Sequence, residues 1–163
     1  MRYLIAYAGR SGTTEKAARL LGEHFTDVDI KDLTRDYPNP AKYDTIIVGS
    51  SIRRGKIENA VRKFLIKHEN VLSEKRLGLF ICNVFLDQVP TILEKNFPAQ
   101  LLEECVCVDS FGGEVNSEKL GFFERMIANV ALKKLKEQES IMLPCLLTDR
   151  IDIFANKVAG PEN

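Results

Sequence analysis

Short apolar runs without strict alternation of polar and apolar residues recur along the chain. They cover residues 2–8, 44–50 and 76–82. A strand that is buried on both faces has this pattern, and such strands are typical of parallel sheets. Val28 and Ile30 alternate with aspartates, which predicts a strand nearer the sheet edge, and residues 106–111 form another candidate. The pattern therefore predicts a sheet of about five strands.

Between these runs, apolar residues recur at helical spacing. One stripe consists of Thr14, Ala17, Ala18, Leu21 and Phe25, a second of Ile57, Val61, Phe64, Leu65 and His68, and a third of Ile151, Phe154 and Val158. The spacing of Asp149 and Asp152 predicts a capped start for the last helix. Strands that alternate with helices predict a doubly wound α/β fold, with a parallel sheet and helices on both faces. In such folds, ligands bind beyond the carboxyl ends of the strands.

Composition narrows the class of protein. At 163 residues, 45% of them hydrophobic and 28% charged, the chain resembles one ordinary globular domain over residues 1–163. The 23 basic and 23 acidic residues balance, which argues against nucleic acid as a partner. No apolar run approaches a membrane span and no signal-peptide pattern opens the chain, so we expect a cytoplasmic protein. The 4 cysteines lack paired spacing, so no metal site is predicted.

The segment 112–147 is longer than a direct return from the last strand to the last helix needs. It contains the pattern of an extra helix over about 122–136, with lysines at its end and an apolar side made of Phe123, Met126, Ile127 and Val130. We interpret it as a helix that packs on the core. The alternative is a surface element that contacts a membrane or a redox partner.

Glycine and hydroxyl residues follow the first predicted strand, and a helical pattern follows them directly. Backbone N–H groups at such a helix start bind anions, and hydroxyl groups add donors. The loop lacks the Lys of a P-loop and the glycine spacing of a dinucleotide site, so a lone monophosphate fits better. The alternative is an ordinary turn that opens an ordinary helix. The candidate phosphate-binding residues are Gly9, Arg10, Ser11, Gly12, Thr13 and Thr14.

The other strand ends supply hydrogen-bond donors and flat apolar surface. The candidates are Ser50, Ser51, Ile52, Arg53, Arg54 and Gly55 after the third strand, Asn83, Val84 and Phe85 after the fourth, and Gly112 and Gly113 after the fifth. A planar polar heterocycle that carries one phosphate fits this arrangement. Solvated loop residues are the alternative interpretation of Arg53 and Arg54.

Several segments carry a resemblance to a known family. They are residues 10–14, 43–55, 64–68, 122–126 and 148–149, of which Tyr43-Asp-Thr-Ile-Ile-Val-Gly-Ser-Ser-Ile-Arg-Arg-Gly55 is the most specific. The chain resembles the flavodoxins, and within that superfamily the menaquinone-dependent protoporphyrinogen dehydrogenases and their short homologues. The resemblance implies FMN, with residues 11–14 at the phosphate. It places residues 51–55 beside the isoalloxazine ring and residues 83–85 at its other edge.

The chain also departs from typical flavodoxins. Gly9 and Arg10 stand where the phosphate loop of a flavodoxin has hydroxyl residues. The chain has no Trp, and its net charge is zero, whereas classical flavodoxins are strongly acidic. Arginines beside the ring would stabilise the reduced cofactor and raise its two-electron potential.

We therefore expect an FMN-dependent oxidoreductase of the protoporphyrinogen or quinone type, in which no side chain is assigned a catalytic role. One alternative is a non-enzymatic electron carrier that serves a protein reductase. The other is a scaffold that has lost its flavin. A quinone, a porphyrinogen or a reductase is the corresponding redox partner.

Overall fold

The fold is a parallel sheet between two layers of helices. The computed structural model describes residues 1–114, 129, 130, 133 and 145–161. The strands are β1 (Tyr3–Ala8), β2 (Val28–Asp32), β3 (Thr45–Arg53), β4 (Lys56–Ile57), β5 (Arg76–Cys82) and β6 (Cys107–Ser110). Five of them are parallel in the order β2-β1-β3-β5-β6, which confirms the predicted sheet. The two-residue strand β4, which pairs antiparallel with β3, was not predicted.

Helices connect the strands on both faces. They are α1 (Thr13–Gly22), α2 (Asn59–Lys67), α3 (Glu69–Ser73), α4 (Val89–Asn96), α5 (Ala99–Glu104) and α6 (Thr148–Ala159), with 3-10 turns at Pro40–Lys42 and Leu86–Gln88. The predicted helices α1, α2 and α6 are present, but three residues of the predicted stripes lie outside them: Phe25 follows α1, Ile57 belongs to β4 and His68 follows α2. Helices α3, α4 and α5 span 5, 8 and 6 residues and are too short for a long apolar stripe. The predicted cap of α6 is wrong, because the helix begins at Thr148 and Asp149 lies inside its first turn.

Two hydrophobic cores lie on the two faces of the sheet. Helices α1 and α6 cover one face, where the rings of Phe80 and Phe111 stack at 4.7 Å and Phe154 meets Phe111 edge-on at 5.2 Å. Residues of α2, α3 and α4 pack on the other face. The side chains of β1 are buried along its whole length, as the apolar run predicted.

The strand order determines which loops meet. The order in which strands are added to the sheet changes direction between β1 and β3. From β1 the chain adds β2 on one side, and from β3 it adds β5 on the other. Because all five strands are parallel, the loops after β1, β3, β5 and β6 leave from one edge of the sheet. A doubly wound fold binds ligands at this position.

The predicted extra helix over about 122–136 lies mostly outside the described residues. Within it, residues 129, 130 and 133 are described as helical. Val130, expected on the apolar side, is 53% exposed. None of the described helices is long and apolar enough to span a membrane.

Candidate functional site

The predicted phosphate loop, residues 9–14, runs from the end of β1 into the first turn of α1. Gly12 stands at the N-cap of the helix with a φ of 86°, a left-handed conformation that glycine adopts without strain. The helix start has no side-chain cap. The Ser11 hydroxyl lies 3.3 Å from that of Thr13. The first N–H groups of α1 therefore have no capping side chain as an acceptor, as the predicted anion site requires.

The Thr14 hydroxyl is buried without a hydrogen-bond partner. Thr14 is 1% exposed, and its Oγ1 forms no hydrogen bond with any residue that the structure describes. Gly9 lies against it, because a Cβ on Gly9 would stand 2.6 Å from Oγ1. Leaving a buried hydroxyl unpaired costs about 1–3 kcal/mol, so the site retains a donor for which the described residues supply no acceptor.

A thiol lies near this hydroxyl. Burial raises the pKa of Cys82 to about 12, while the Thr14 hydroxyl acts in the opposite direction. The Thr14 hydroxyl thus lies close enough to the thiol to lower its pKa, but no described group stands in hydrogen-bond geometry to Thr14 Oγ1. Cys82 stays a neutral thiol at physiological pH, so it supplies no nucleophile to the site.

A carboxylate connects the loop after β1 to β3, because Ser50 and Ser51, which were expected to follow the third strand, lie inside it. Glu58 accepts a hydrogen bond from the Ser51 hydroxyl at 3.0 Å and lies 3.7 Å from the guanidinium of Arg10. The Glu58 N–H donates to the hydroxyl of Ser50 at 2.9 Å. A Cβ on Gly9 would also contact the Ser51 side chain at 3.6 Å. The loop after β1 and the carboxyl end of β3 are therefore in contact.

Strands β3 and β4 form a hairpin whose turn is Arg54-Gly55. The register pairs Ile52 with Ile57 and Arg53 with Lys56, which leaves two turn residues. Their φ angles are 51° and 73°, as a type I′ turn requires. A left-handed conformation costs a non-glycine residue about 1–2 kcal/mol, so Arg54 stores strain at the tip. The hairpin holds several candidate ring-binding residues on one short, strained element.

The loops after β5 and β6 pack on each other. The Asn83 N–H donates to the carbonyl of Gly112 at 2.9 Å, and its side-chain amide donates to the carbonyl of Phe85 at 2.7 Å. A Cβ on Gly113 would meet Val84 at 3.1 Å. These contacts bring together the candidates that follow the fourth and fifth parallel strands.

An ion pair joins this second group to α1. Lys16, in the helix that follows the phosphate loop, lies 2.9 Å from the carboxylate of Glu114. Among the described residues, no cluster of His, Cys, Asp and Glu could hold a metal ion.

Comparison with known proteins gives the family. A family model described as a flavodoxin domain matches residues 4–141. The chain belongs to the flavodoxin domain family. The resemblance to flavodoxins is thereby confirmed, and so is the predicted fold class.

Individual relatives share little sequence identity with this chain. Protoporphyrinogen IX dehydrogenase [quinone] of Escherichia coli strain K12 is 27% identical over 89 residues, which are 52% of this chain and 49% of the relative. The chain thus spans about half the length of the relatives it matches.

Solved structures give weaker likenesses. A flavoprotein in complex with FMN from Lactobacillus acidophilus NCFM is 15% identical over 67% of this chain and 92% of its own, with a TM-score of 0.48. Oxidised flavodoxin 1 from Bacillus cereus is 15% identical over 86% and 100%, also with a TM-score of 0.48. TM-scores of this size are no basis for a conclusion about this chain.

Two residues of this flavodoxin domain were missed by the sequence analysis. Glu58 connects the phosphate loop to β3, and Asn96 at the end of α4 holds the hairpin through hydrogen bonds to Gly55 and Ile57. Two residues between paired positions, one of them glycine, are a hairpin signal that could have revealed β4. No local signal indicated Asn96, because its partners are about 40 positions away in the chain.

Proposed function

We propose that this flavodoxin-domain protein binds FMN and acts as a flavin-dependent oxidoreductase of the protoporphyrinogen dehydrogenase type. Family membership and the site at the carboxyl edge of the sheet support the cofactor. The match to the Escherichia coli dehydrogenase supports the reaction class.

The unpaired Thr14 hydroxyl is the observation that carries the cofactor assignment. A buried donor without an acceptor is costly in a folded protein, and a phosphate oxygen is an acceptor that removes the cost. The left-handed Gly12 and the uncapped start of α1 supply backbone donors beside it. The residues present therefore fit a monophosphate ester such as that of FMN.

The phosphate and the ring have separate sets of residues. Ser11, Gly12, Thr13 and Thr14 bind the phosphate through N–H and hydroxyl groups. The hairpin of β3 and β4 lies beside the ring, and Asn83, Val84 and Phe85 lie at its other edge. The hydrogen bond of Ser51 with Glu58 at 3.0 Å and the ion pair of Glu58 with Arg10 at 3.7 Å connect the hairpin to the phosphate loop.

The arginines of the hairpin adjust the redox chemistry. When bound, FMN supplies the hydride or electron transfer, and the protein supplies binding and electrostatics. Arg53 and Arg54 stabilise negative charge on the reduced ring. A charge pair at ~4 Å gains ~4 kcal/mol at an effective dielectric of ~20, before desolvation reduces the gain. This environment favours delivery of electron pairs to an acceptor such as a quinone.

Reconstitution and turnover test the proposal in two steps. The purified protein is mixed with FMN, and a visible flavin spectrum that stays with the protein on gel filtration is the expected result. The loaded protein is then assayed for oxidation of protoporphyrinogen IX with a quinone as electron acceptor. A protein that retains no flavin would contradict the cofactor assignment. Retained flavin that exchanges electrons with a protein reductase, without turning over porphyrinogen, would instead identify an electron carrier.

A further inference from the structure

The hairpin of β3 and β4 has little pairing of its own. Only Ile52 with Ile57 and Arg53 with Lys56 are paired, and two residues on each side are far fewer than an isolated hairpin needs for stability. The turn also holds Arg54 in a left-handed conformation. A strained conformation persists only where the surrounding structure constrains it. Something outside the hairpin must hold it in place.

Asn96 supplies one such constraint at the turn, beside the burial of Ile57, which is 4% exposed in the core. Its side-chain amide donates to the carbonyl of Gly55 at 2.8 Å, and its Oδ1 accepts from the N–H of Ile57 at 3.1 Å. The same amide donates to the carbonyl of Ile92 at 2.8 Å, inside α4. One half-buried side chain thus joins the turn, the strand β4 and the end of α4.

From these contacts we infer that Asn96 is a positioning residue for the flavin-ring side of the site. It holds the hairpin that carries Ile52, Arg53 and Arg54, and its hydrogen bonds within the described part of the chain do not reach the phosphate loop. This inference rests on the proposed function, since it assumes that the ring lies beside the hairpin.

The phosphate loop has constraints that do not involve Asn96. Gly12 begins α1, and Arg10 lies 3.7 Å from Glu58, which β3 holds through hydrogen bonds with Ser50 and Ser51 of 2.9 and 3.0 Å. Loss of the Asn96 side chain leaves all of these contacts in place. Asn96 therefore affects binding of the ring and leaves binding of the phosphate unchanged.

Three ligands separate the two halves of the site. Inorganic phosphate reports the phosphate loop, riboflavin reports the ring, and FMN reports both. We expect Asn96→Ala to lower the affinities for riboflavin and for FMN by the same factor of about tenfold, because a loosened hairpin must be ordered on binding. The affinity for inorganic phosphate, measured from amide shifts of Thr13 and Thr14, stays at the wild-type value.

Amide hydrogen exchange measures the hairpin without any ligand. In Asn96→Ala, the Ile57 N–H loses its acceptor and exchanges faster, while the Glu58 N–H keeps its bond to Ser50. Asn96→Asp keeps an acceptor for Ile57 but places a carboxylate oxygen against the carbonyls of Gly55 and Ile92, so its riboflavin affinity is no higher than that of Asn96→Ala. Gln100→Ala is the matched control, because this exposed amide on the next helix contacts Glu104. It leaves all three affinities unchanged.

Each outcome decides the inference. Faster exchange at Ile57 with wild-type riboflavin affinity would overturn it and leave Asn96 a purely structural residue. An equal loss of phosphate affinity would overturn it as well, since the effect would then be a general one. If the wild type binds phosphate but neither riboflavin nor FMN, the proposed function fails first, whatever Asn96 does to the hairpin.

Discussion

The two ends of the parallel sheet satisfy their polar groups in different ways. At the amino end, the guanidinium of Arg2 donates to Asp29 at 3.1 Å and its backbone N–H donates to Asp44 at 2.7 Å, while the Tyr43 hydroxyl donates to Asp29 at 2.7 Å. The guanidinium of Arg2 also lies 5.1 Å from the centre of the Tyr43 ring. These groups use one another as partners. The amino end is closed by contacts within the protein.

At the carboxyl end, the protein leaves groups unsatisfied or strained. Thr14 Oγ1 has no partner, the start of α1 has no side-chain cap, and Arg54 is left-handed. Each feature costs stability unless something else compensates for it. The contrast indicates that the carboxyl end is organised for a ligand and the amino end for stability.

Thr14→Val is the change that tests this contrast most strongly. Loss of a hydrogen bond to a charged phosphate costs ~1.5–3 kcal/mol, so FMN affinity should fall on the order of 10- to 100-fold. The free energy of unfolding without ligand should not decrease, because the hydroxyl has no partner to lose. Fluorescence quenching of FMN and urea unfolding measure the two effects.

Thr45→Val is the matched control at the amino end. Thr45 is fully buried, and its hydroxyl bonds to the sulfur of Met1 at 3.6 Å. FMN affinity should stay at the wild-type value in this variant. Equal losses of affinity in the two valine variants would contradict the assignment of the phosphate site.

Removal of the hairpin arginines should have an intermediate effect. Arg53→Ala and Arg54→Ala are each expected to lower the two-electron midpoint potential of bound FMN, because a positive charge beside the reduced ring is lost. A change of ~1.4 kcal/mol corresponds to ~30 mV for a two-electron couple. An anaerobic redox titration with reference dyes measures the shift.

Arg2→Ala removes the same charge at the other end of the sheet. β1 spans 6 residues, or about 20 Å at ~3.3 Å per residue, which exceeds the screening length of ~8 Å at physiological salt. The potential should therefore not move in this variant. A shift as large as that of the hairpin variants would mean that net charge, rather than position, controls the potential.

Tyr43→Phe should have the smallest effect, and it should depend on pH. The hydrogen bond from Tyr43 and then Arg2 lower the pKa of Asp29. A lowered folded-state pKa means that the stabilisation is present above the unfolded value near 4 and is lost as pH falls through the folded-state value. We expect a loss of about 1 kcal/mol at pH 7, since one hydrogen bond to a partly exposed carboxylate is removed.

Urea unfolding at pH 7 and pH 3 measures this dependence. The difference between wild type and Tyr43→Phe should shrink at the lower pH, and FMN affinity at pH 7 should be unchanged. A difference that grows toward acid would contradict the ionised state of Asp29.

Local patterns in the sequence were enough to predict the sheet. The apolar runs of β1, β3 and β5 and the stripes of α1, α2 and α6 are properties of short segments, because burial of a strand or helix imposes its own period. The phosphate loop could be predicted for the same reason, since residues 9–14 join β1 directly to the first turn of α1. The binding roles of the candidate residues remain predictions.

The contacts that hold the site together depend on the assembled fold. The contact of Asn96 with Gly55 joins residues 41 positions apart, and that of Lys16 with Glu114 joins residues 98 apart. The groups that surround the Thr14 hydroxyl are likewise brought together only in the assembled sheet, where β1 and β5 both lie beside β3. A sequence pattern records which face of an element is buried. It does not record which distant side chain will meet that element, because such contacts exist only after the strands have assembled.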